Sequence, residues 1–378
     1  MISKYRTWCE VNLDTIYENF IKYRNFVGKD TKIMAVIKAD AYGHGAIPCA
    51  EKLQGVTDYF AVAFADEAID LRENNITAPI LILGYSPKTT AKTIVENDIT
   101  ATVYDVDCAK ELSKEAKKQG KTAKIHIKID TGMSRIGFIW DSPETIKQIT
   151  EISKLENIET EGIFTHFATA DEEDCTFTNL QFRRFMSIVN TLEKSGVKFK
   201  IKHSCNSAGA MRFPDMHLDM VRIGIGLYGC YPSEFNYNLD LAPAMSMKTR
   251  VVNVKTVKKG DSVSYGATFT AKEDMKVATI SVGYADGYLR TLSDKASVLV
   301  NGKYAKILGR ICMDLCMIDV SDVNNISVGD EVLLFGTKDD GILPVSQLAS
   351  ISETISYEIL CGMAKRVPRI YTHVIFAS

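Results

Sequence analysis

Short apolar runs alternate with longer amphipathic segments through the first 230 residues. The amphipathic segments at 13–27 and 176–196 place apolar residues on one face at helical spacing, and the second stops at Gly196, a residue typical of helix ends. The apolar runs are nearly continuous, as expected of strands buried on both faces of a parallel sheet. They lie at 32–38, 59–64, 79–84, 99–104, 123–130, 161–166, 199–204 and 220–226.

The number of these runs indicates how the sheet is arranged. About eight strand–helix units follow from the pattern, which is the number that closes a parallel barrel. The alternation also fits an open doubly wound sheet, but the count favours the barrel. We therefore predict the fold class α/β, with a (β/α)8 TIM-like barrel.

The pattern changes to strand-like alternation after about residue 240. Residues 247–269 alternate between apolar and polar positions, and Asn301-Gly302 is typical of a two-residue hairpin turn. Two short helical patterns follow near 344–351 and 354–361. These features predict a second, mostly-β domain.

The predicted boundary between the domains lies at residue 240. The barrel is expected at 12–240 and the β-domain at 241–378. A strand-like segment at 7–13 precedes the first helix, and we assign residues 1–11 to the β-domain.

Composition narrows the class of protein further. The 45 Lys and Arg residues nearly balance 47 Asp and Glu residues, so no overall field favours nucleic acid or a membrane. No segment has the pattern of a membrane span or a signal peptide. The nine cysteines are scattered, which indicates thiols in a reducing compartment and predicts a cytoplasmic protein. Cys312 and Cys316 have no histidine at zinc-ligand spacing, so no metal site is predicted.

Unusual polar residues fall where the predicted barrel strands end. The carboxyl ends of barrel strands form one rim, and that rim carries the chemistry in such folds. The rim is expected to collect Lys38, Arg135, His166, His203, Asn206, Ser207, Arg222 and Gly224.

The loops after the last two strands have the features of a phosphate site. Barrels often bind phosphate there. Asn206 and Ser207 are suited to aiming donors at an anion, and Gly224-Ile225-Gly226 allows close backbone approach. A helix cap followed by a tight turn is the alternative. No Walker or Rossmann glycine pattern is present, so a nucleotide is not indicated.

A lysine on the same rim as an anion site indicates pyridoxal phosphate. The cofactor would be held through its phosphate and through an imine to the Lys38 amine. Burial against an apolar strand lowers the pKa of an amine and favours its reactive neutral form. A salt bridge at the strand end is the alternative interpretation of Lys38.

A set of distinctive motifs runs through both predicted domains. They are AVIKADAYGHG, HIKIDTGMSRIGF, IFTHFATAD, HSCNSAG, VRIGIGLYG, VSYGATF, VGYADGY, GRICMDLCMIDV and ISYEILC. The motifs occur in order from Lys38 to Cys361, which makes the set much more specific than the lysine motif alone. Together they resemble the alanine racemase family.

The resemblance implies a pyridoxal-phosphate-dependent isomerase that interconverts L-alanine and D-alanine as a homodimer and supplies D-alanine for peptidoglycan. Lys38 would form the internal aldimine, and Arg135 would assist the substrate carboxylate. Tyr265 and Met313 would come from the second subunit. The other cofactor contacts would be Tyr42, Leu83, His166, Asn206, Ser207, Arg222, Gly224, Ile225 and Tyr357. Behind the contacting residues would lie Lys128, His203, Cys312 and Asp314.

The implied mechanism uses two bases. Racemisation removes a proton from one face of Cα and returns one to the other, so Lys38 would serve one face and Tyr265 the other. Arg222 would face the pyridine nitrogen, where most pyridoxal enzymes place a carboxylate. Since arginine stays charged, it would not protonate that nitrogen, which disfavours transamination. A salt bridge inside the barrel is the alternative for Arg222.

Two further residues bear on the chemistry and the substrate. In parts of the family, the lysine that matches Lys128 is carbamylated and orients the arginine that matches Arg135. An ordinary surface lysine is the alternative. Tyr357 stands where serine-preferring relatives tend to have a smaller polar residue, which favours alanine as substrate.

Three other functions compete with this interpretation. A broad-specificity racemase or a decarboxylase on the same fold is the first, although a decarboxylase would keep an acidic partner where Arg222 stands. A non-catalytic carrier of pyridoxal phosphate is the second, and the β-domain would be superfluous in it. A purely structural barrel is the third.

Overall fold

The structure is a computed structural model that describes residues 4–235, 237–338 and 341–372. None of the helices in that part of the chain combines the length and apolarity that crossing a membrane requires.

The chain divides into two compact units. The barrel unit comprises Tyr17–Ala41 and Ala46–Leu241. The β-unit comprises the residues up to Ile16, the short segment Tyr42–Gly45 and the residues from Ala242 onward.

Strands and helices alternate through the first part of the chain, and strands dominate the second. The strands are β1 (Thr7–Asn12), β2 (Lys32–Val36), β3 (Tyr59–Val62), β4 (Ile80–Ile82), β5 (Thr100–Val103), β6 (Ala123–Asp130), β7 (Phe138–Ile139), β8 (Ile158–Phe164), β9 (Ile201–His203), β10 (Met220–Ile223), β11 (Met245–Val257), β12 (Ser262–Val263), β13 (Phe269–Thr270), β14 (Met275–Ile280), β15 (Ser297–Val300), β16 (Lys303–Leu308), β17 (Cys316–Asp319), β18 (Glu331–Lys338), β19 (Gly341–Leu343) and β20 (Arg369–Thr372). The helices are α1 (Leu13–Val27), α2 (Lys38–Tyr42), α3 (Ala46–Leu53), α4 (Ala65–Glu73), α5 (Ala91–Glu96), α6 (Val106–Lys118), α7 (Pro143–Ile152), α8 (Thr176–Lys194), α9 (Ser207–Arg212), α10 (Val345–Ile351) and α11 (Ser356–Cys361).

Eight parallel strands form the sheet of the barrel unit. Their order is β10-β2-β3-β4-β5-β6-β8-β9, and the short β7 pairs with β6. The end strands approach each other, because the amide of Asp219 donates to the carbonyl of Lys202 and that of Arg222 to the carbonyl of Cys205, both at 3.0 Å. The predicted TIM-like barrel is therefore confirmed.

The first barrel strand is shorter than its apolar run. β2 ends at Val36, whereas the run 32–38 was expected to continue to Lys38. Lys38 instead begins a separate turn, α2, whose backbone is incompatible with a strand. The strand prediction is therefore wrong for its last two residues.

A nine-stranded sheet forms the core of the β-unit. Its order is β19-β18-β15-β16-β17-β14-β11-β1-β20. The predicted hairpin turn joins β15 to β16, and both Asn301 and Gly302 have positive φ (46° and 72°), as a type I′ turn requires. The strand at the start of the chain, β1, pairs antiparallel with β11 and parallel with β20.

A single glycine, Gly196, terminates α8. Gly196 has φ +90°, its amide donates to the carbonyl of Glu193, and the amide of Val197 donates to the carbonyl of Leu192. This is a Schellman motif, in which the buried Val197 and Leu192 supply the accompanying apolar contact. The helix therefore stops where the sequence pattern predicts.

Replacing Gly196 with alanine should lower the free energy of unfolding by about 1 kcal/mol, because a Cβ is disfavoured at positive φ. No atom lies within 4 Å of the added Cβ, so the loss would come from the backbone alone. Gly55→Ala is the matched control, since Gly55 has equally open surroundings without the positive φ. Chemical denaturation measures both variants, and equal stabilities would contradict the backbone explanation.

Candidate active site

A left-handed turn presents Lys38 just beyond β2. Ala39, Asp40, Ala41 and Tyr42 all have φ of 52–53°. A residue with a Cβ is disfavoured there by roughly 1–2 kcal/mol. Four consecutive residues in this conformation are unusual, and such strain concentrates at functional sites.

Two carboxylates hold the strained turn. Glu67 accepts the amide of Ala39 at Oε1 (2.7 Å) and that of Ala63 at Oε2 (2.6 Å). Asp40 accepts the amide of Ala46 at 2.7 Å. These charge-assisted bonds offset the strain and fix the direction in which the half-buried Lys38 leaves the backbone.

The loops after β9 and β10 are tied together by a side chain. Asn206 Oδ1 accepts the amide of Gly209 at 2.9 Å, so Asn206 caps α9. Ser207 Oγ accepts the amide of Gly224, also at 2.9 Å, and Ile225 is buried behind this loop. Because the Gly224 amide is the donor, the Ser207 hydroxyl keeps its own O–H for an acceptor. The capping alternative therefore holds for Asn206, whereas Ser207 joins two rim loops.

Arg222 is a buried cation in the middle of the barrel rim. Its side chain donates from Nη1 to His203 Nδ1 (3.0 Å) and from Nη2 to His166 Nδ1 (3.2 Å). Nη2 also donates to the carbonyls of Thr165 and Ser204, both at 2.9 Å. Among the described residues, no hydrogen bond from Nε and no carboxylate in salt-bridge contact is found. The predicted alternative of a salt bridge is therefore wrong for the described part of the chain.

The guanidinium determines the protonation of both imidazoles. It can only donate, so Nδ1 of His166 and of His203 must accept, and the proton of each ring lies on Nε2. Burial lowers the pKa of both histidines well below the usual value, and the nearby charge of Arg222 lowers it further. Burial also lowers the pKa of Arg222 to about 10, which leaves it charged at neutral pH.

Lys128 and Arg135 line one small opening at the same rim. The opening is also lined by His166, Thr165 and Asp130. Lys128 is buried, with Nζ 4.6 Å from the centre of the Phe164 ring. Burial lowers its pKa well below the usual value, as do the charges of Arg222 and Arg135, while Asp130 opposes them. The alternative of an ordinary surface lysine is therefore wrong.

A chain of polar side chains continues from His203 into the barrel. His203 Nε2 lies 2.9 Å from His126 Nδ1, and His126 Nε2 lies 3.3 Å from Glu161 Oε2. Tyr59 donates its hydroxyl to the same oxygen, and Lys124 Nζ donates to Oε1 at 3.0 Å. His126 and Glu161 are not among the site residues predicted from the sequence. The available signal was a histidine and a glutamate inside runs predicted to be buried strands.

Two of the predicted cofactor contacts meet in the β-unit. The rings of Tyr42 and Tyr357 have centroids 5.9 Å apart and are tilted by 54°. Tyr42 is almost fully buried, and burial raises the pKa of its hydroxyl. The structure therefore brings together two tyrosines that are more than three hundred residues apart in the sequence.

The residues predicted to come from a second subunit are exposed on the β-unit. Tyr265 is 70% exposed and Met313 is 53% exposed. Their loops are adjacent, because Ser264 Oγ lies 3.7 Å from Cys312 Sγ and donates to the carbonyl of Arg310 at 2.5 Å. Such exposure is unusual for a tyrosine and a methionine, and it leaves both side chains accessible to a partner.

Close backbone contacts hold the Met313 loop. The amides of Tyr284 and Ala285 donate to the carbonyls of Cys312 and Met313, both at 3.1 Å. A Cβ at Gly283 would lie 2.3 Å from the same two oxygens, so only glycine fits there. Asp314 accepts a hydrogen bond from Arg366 at 2.7 Å, and Cys312 Sγ lies 3.7 Å from the Arg310 carbonyl.

The predicted site residues thus form two groups. The barrel unit carries Lys38, Leu83, Lys128, Arg135, His166, His203, Asn206, Ser207, Arg222, Gly224 and Ile225. In this group Leu83 follows β4 directly, with its amide donating to the carbonyl of Val62 at 2.8 Å. The β-unit carries Tyr42, Tyr265, Cys312, Met313, Asp314 and Tyr357.

A parallel barrel with lysine, arginine and histidine on one rim has the architecture of a barrel enzyme. Two family models cover nearly the whole chain. Residues 11–232 match the alanine racemase N-terminal domain, and residues 244–371 match the alanine racemase C-terminal domain. The chain belongs to the alanine racemase family.

Individual relatives match over almost their full length. The chain is 49% identical to alanine racemase 2 of Caldanaerobacter subterraneus subsp. tengcongensis, over 97% of this chain and 95% of that protein. It is 45% identical to the alanine racemase of Desulforamulus reducens, over 96% and 98%.

Solved structures agree in fold. The alanine racemase of Clostridium difficile superposes with a TM-score of 0.93 at 43% identity, covering 98% of this chain and 96% of that one. The alanine racemase of Bacillus anthracis with bound L-Ala-P superposes with a TM-score of 0.91 at 39% identity, covering 97% and 95%.

Ser207→Ala should loosen the loop after β10, because the Gly224 amide loses its buried acceptor. The expected loss is about 1–3 kcal/mol in the free energy of unfolding, with faster hydrogen exchange in the peptide that contains Gly224. Ser195→Ala is the control, since Ser195 lies exposed at the end of α8 and bonds only within that helix. Unchanged exchange at Gly224 would contradict the role given to Ser207.

Proposed function

We propose that the protein is an alanine racemase that uses pyridoxal phosphate and works as a homodimer. The observation that carries this proposal is the set of basic side chains around His166. Arg222 donates to His166, and Lys128 and Arg135 line the same opening as that histidine. A rim with this excess of positive charge suits an anionic cofactor and a substrate carboxylate.

The residues of the rim fit pyridoxal phosphate. The Ser207 hydroxyl and the loop that it joins to Gly224 offer donors for a phosphate, together with Asn206 and Ile225. Arg222 offers Nε–H to the pyridine nitrogen, and His166 and Leu83 border the ring. Lys38 provides the amine that links the cofactor to the chain. When bound, the cofactor withdraws electrons from Cα of the amino acid and so makes its proton removable.

Side chains of the protein transfer the Cα proton and bind the substrate carboxylate. Lys38 takes or returns the Cα proton on one face, and Tyr265 of the partner subunit acts on the other. Arg135 binds the substrate carboxylate, with Met313 of the partner subunit beside it. Behind these residues lie Lys128 and His203 in the barrel unit, and Cys312 and Asp314 in the β-unit.

Arg222 restricts the reaction to racemisation. With a pKa of about 10, it stays protonated at neutral pH. It keeps its proton while it donates a hydrogen bond to the ring nitrogen. A carboxylate at this place would stabilise a protonated ring and promote transamination or decarboxylation, which speaks against those activities.

The cellular role follows from the product. D-alanine made by this reaction supplies peptidoglycan synthesis. A cytoplasmic location fits the thiols of Cys9, Cys49, Cys205, Cys230 and Cys316, which are buried without forming disulfides.

Chiral analysis of alanine after incubation with the holoenzyme tests the proposed activity. Either enantiomer should approach an equal mixture, and serine should react more slowly because Tyr357 crowds a larger side chain. Lys38→Ala should lose the visible absorbance of bound cofactor. Tyr265→Phe should keep that absorbance and lose racemisation by a factor of about 10²–10⁴.

Co-expression of these two variants tests whether the site is shared. A mixed dimer would contain one intact site, so random pairing should restore about a quarter of the wild-type activity. If mixed dimers form and remain inactive, Tyr265 and Lys38 do not act together across subunits.

Lys128 should carry a carbamate, because its depressed pKa leaves a neutral amine beside Arg135. The amine adds carbon dioxide and releases one proton, and the new carboxylate pairs with the arginine. In ¹³C-bicarbonate, the wild-type protein should give a carbamate signal by NMR at neutral pH. Lys128→Arg keeps a long basic side chain but has no such amine, so a signal that survives in this variant would contradict the assignment.

A further inference from the structure

The interior of this barrel contains a continuous polar chain where such barrels normally hold branched apolar residues. It runs from Arg222 through His203 and His126 to Glu161. Both histidines are fully buried, and Glu161 is 7% exposed. A buried polar chain of this length destabilises a core unless every member is satisfied, so its presence requires an explanation.

The hydrogen bonds of this polar chain all run in one direction. Arg222 donates to His203 Nδ1, so the proton of His203 lies on Nε2 and is donated to His126 Nδ1. The proton of His126 then lies on Nε2 and is donated to Glu161. All donors therefore point away from the rim, and the carboxylate terminates the chain.

Glu161 is suited to this terminal position because it is ionised. Burial alone would raise its pKa, but hydrogen bonds from His126, Tyr59 and Lys124 outweigh burial and lower the pKa to about 2. A carboxylate accepts and never donates. It therefore excludes the opposite arrangement, in which His126 would donate to His203 and place a proton on Nδ1 against Arg222.

The backbone is shaped to form this chain. Ile125 pairs with Thr160 and His126 pairs with Gly162, so Glu161 is an extra residue, a bulge, on β8. Bulges redirect side chains and occur next to active sites. A Cβ on Gly162 would lie 2.6–2.7 Å from three atoms of the His126 ring, so the missing side chain makes room for that ring.

We infer that Glu161 and His126 are positioning residues for racemisation: they fix the tautomer of His203, which in turn fixes the orientation of the Arg222 guanidinium. The inference rests on the proposed function, in which Arg222 donates Nε–H to the cofactor. Arg222 favours the same tautomer from the rim end, where Nη1 lies 3.0 Å from His203 Nδ1. Without the carboxylate, this tautomer loses its second support, so His203 also carries its proton on Nδ1 and then turns the guanidinium.

The tautomers are measured directly by ¹⁵N NMR of the full chain labelled with ¹⁵N-histidine, before and after pyridoxal phosphate is added. The chain has six histidines, and His126→Phe assigns the relevant signals. At neutral pH, the wild-type protein should show neutral rings protonated at Nε2 for both His126 and His203. A charged ring or an Nδ1–H tautomer at either residue overturns the inference.

Two substitutions at position 161 separate positioning from packing. Glu161→Leu removes the acceptor, so both histidines should show mixed tautomers and kcat should fall about tenfold with little change in KM. Glu161→Gln keeps an acceptor oxygen and should restore most of kcat and the Nε2–H tautomers. Wild-type tautomers with an unchanged kcat in Glu161→Leu overturn the inference.

A control variant and a second variant that displaces His126 complete the test. Glu159 lies two residues earlier on β8 and pairs with Lys200, so Glu159→Leu should alter neither tautomers nor kcat. Gly162→Ala keeps every polar group but displaces the His126 ring, and it should reproduce Glu161→Leu even if the latter fails to fold. The two proposals are tested by different measurements. Racemisation by the wild-type protein tests the proposed function, whereas the NMR measurement of the tautomers needs no turnover and tests the inference.

Discussion

A guanidinium buried among neutral acceptors is the constraint on which the rest of the barrel rim depends. Arg222 cannot accept a hydrogen bond and remains charged, so each group that faces it must offer a lone pair. Two carbonyls and two imidazole Nδ1 atoms do so. Burial lowers the pKa of His166, His203 and Lys128, and the charge of Arg222 lowers each of them further. One cation thus acts on the protonation of three neighbours.

The carboxylates near this cation each have donors of their own. Glu67 and Asp40 accept backbone amides at the Lys38 turn, and Glu161 faces His126. Asp130 lines the same opening as Lys128 and Arg135, and it opposes the lowering of the Lys128 pKa. Arg222 itself is satisfied by neutral acceptors rather than by an anion, so its charge is not cancelled by a contacting carboxylate among the described residues.

Much of this arrangement is readable from the sequence, because local patterns specify it. The amphipathic segment 13–27 became α1 with the same bounds, and Asn301-Gly302 formed the expected hairpin. The predicted rim residues lie near the ends of the barrel strands, because parallel strands align their carboxyl ends. The left-handed turn after Lys38 gave no such signal, because its conformation is imposed by Glu67 and Asp40 rather than by glycine. The His126–Glu161 pair was missed for a similar reason: it depends on a bulge in the pairing of β6 with β8.

The position of β1 has a consequence for the order of folding. The strand is synthesised hundreds of residues before β11 and β20, between which it lies. During translation, its edges must stay unpaired until both partners leave the ribosome, and exposed edges of this kind invite aggregation. A chain truncated after the barrel would carry β1 without either of its sheet partners.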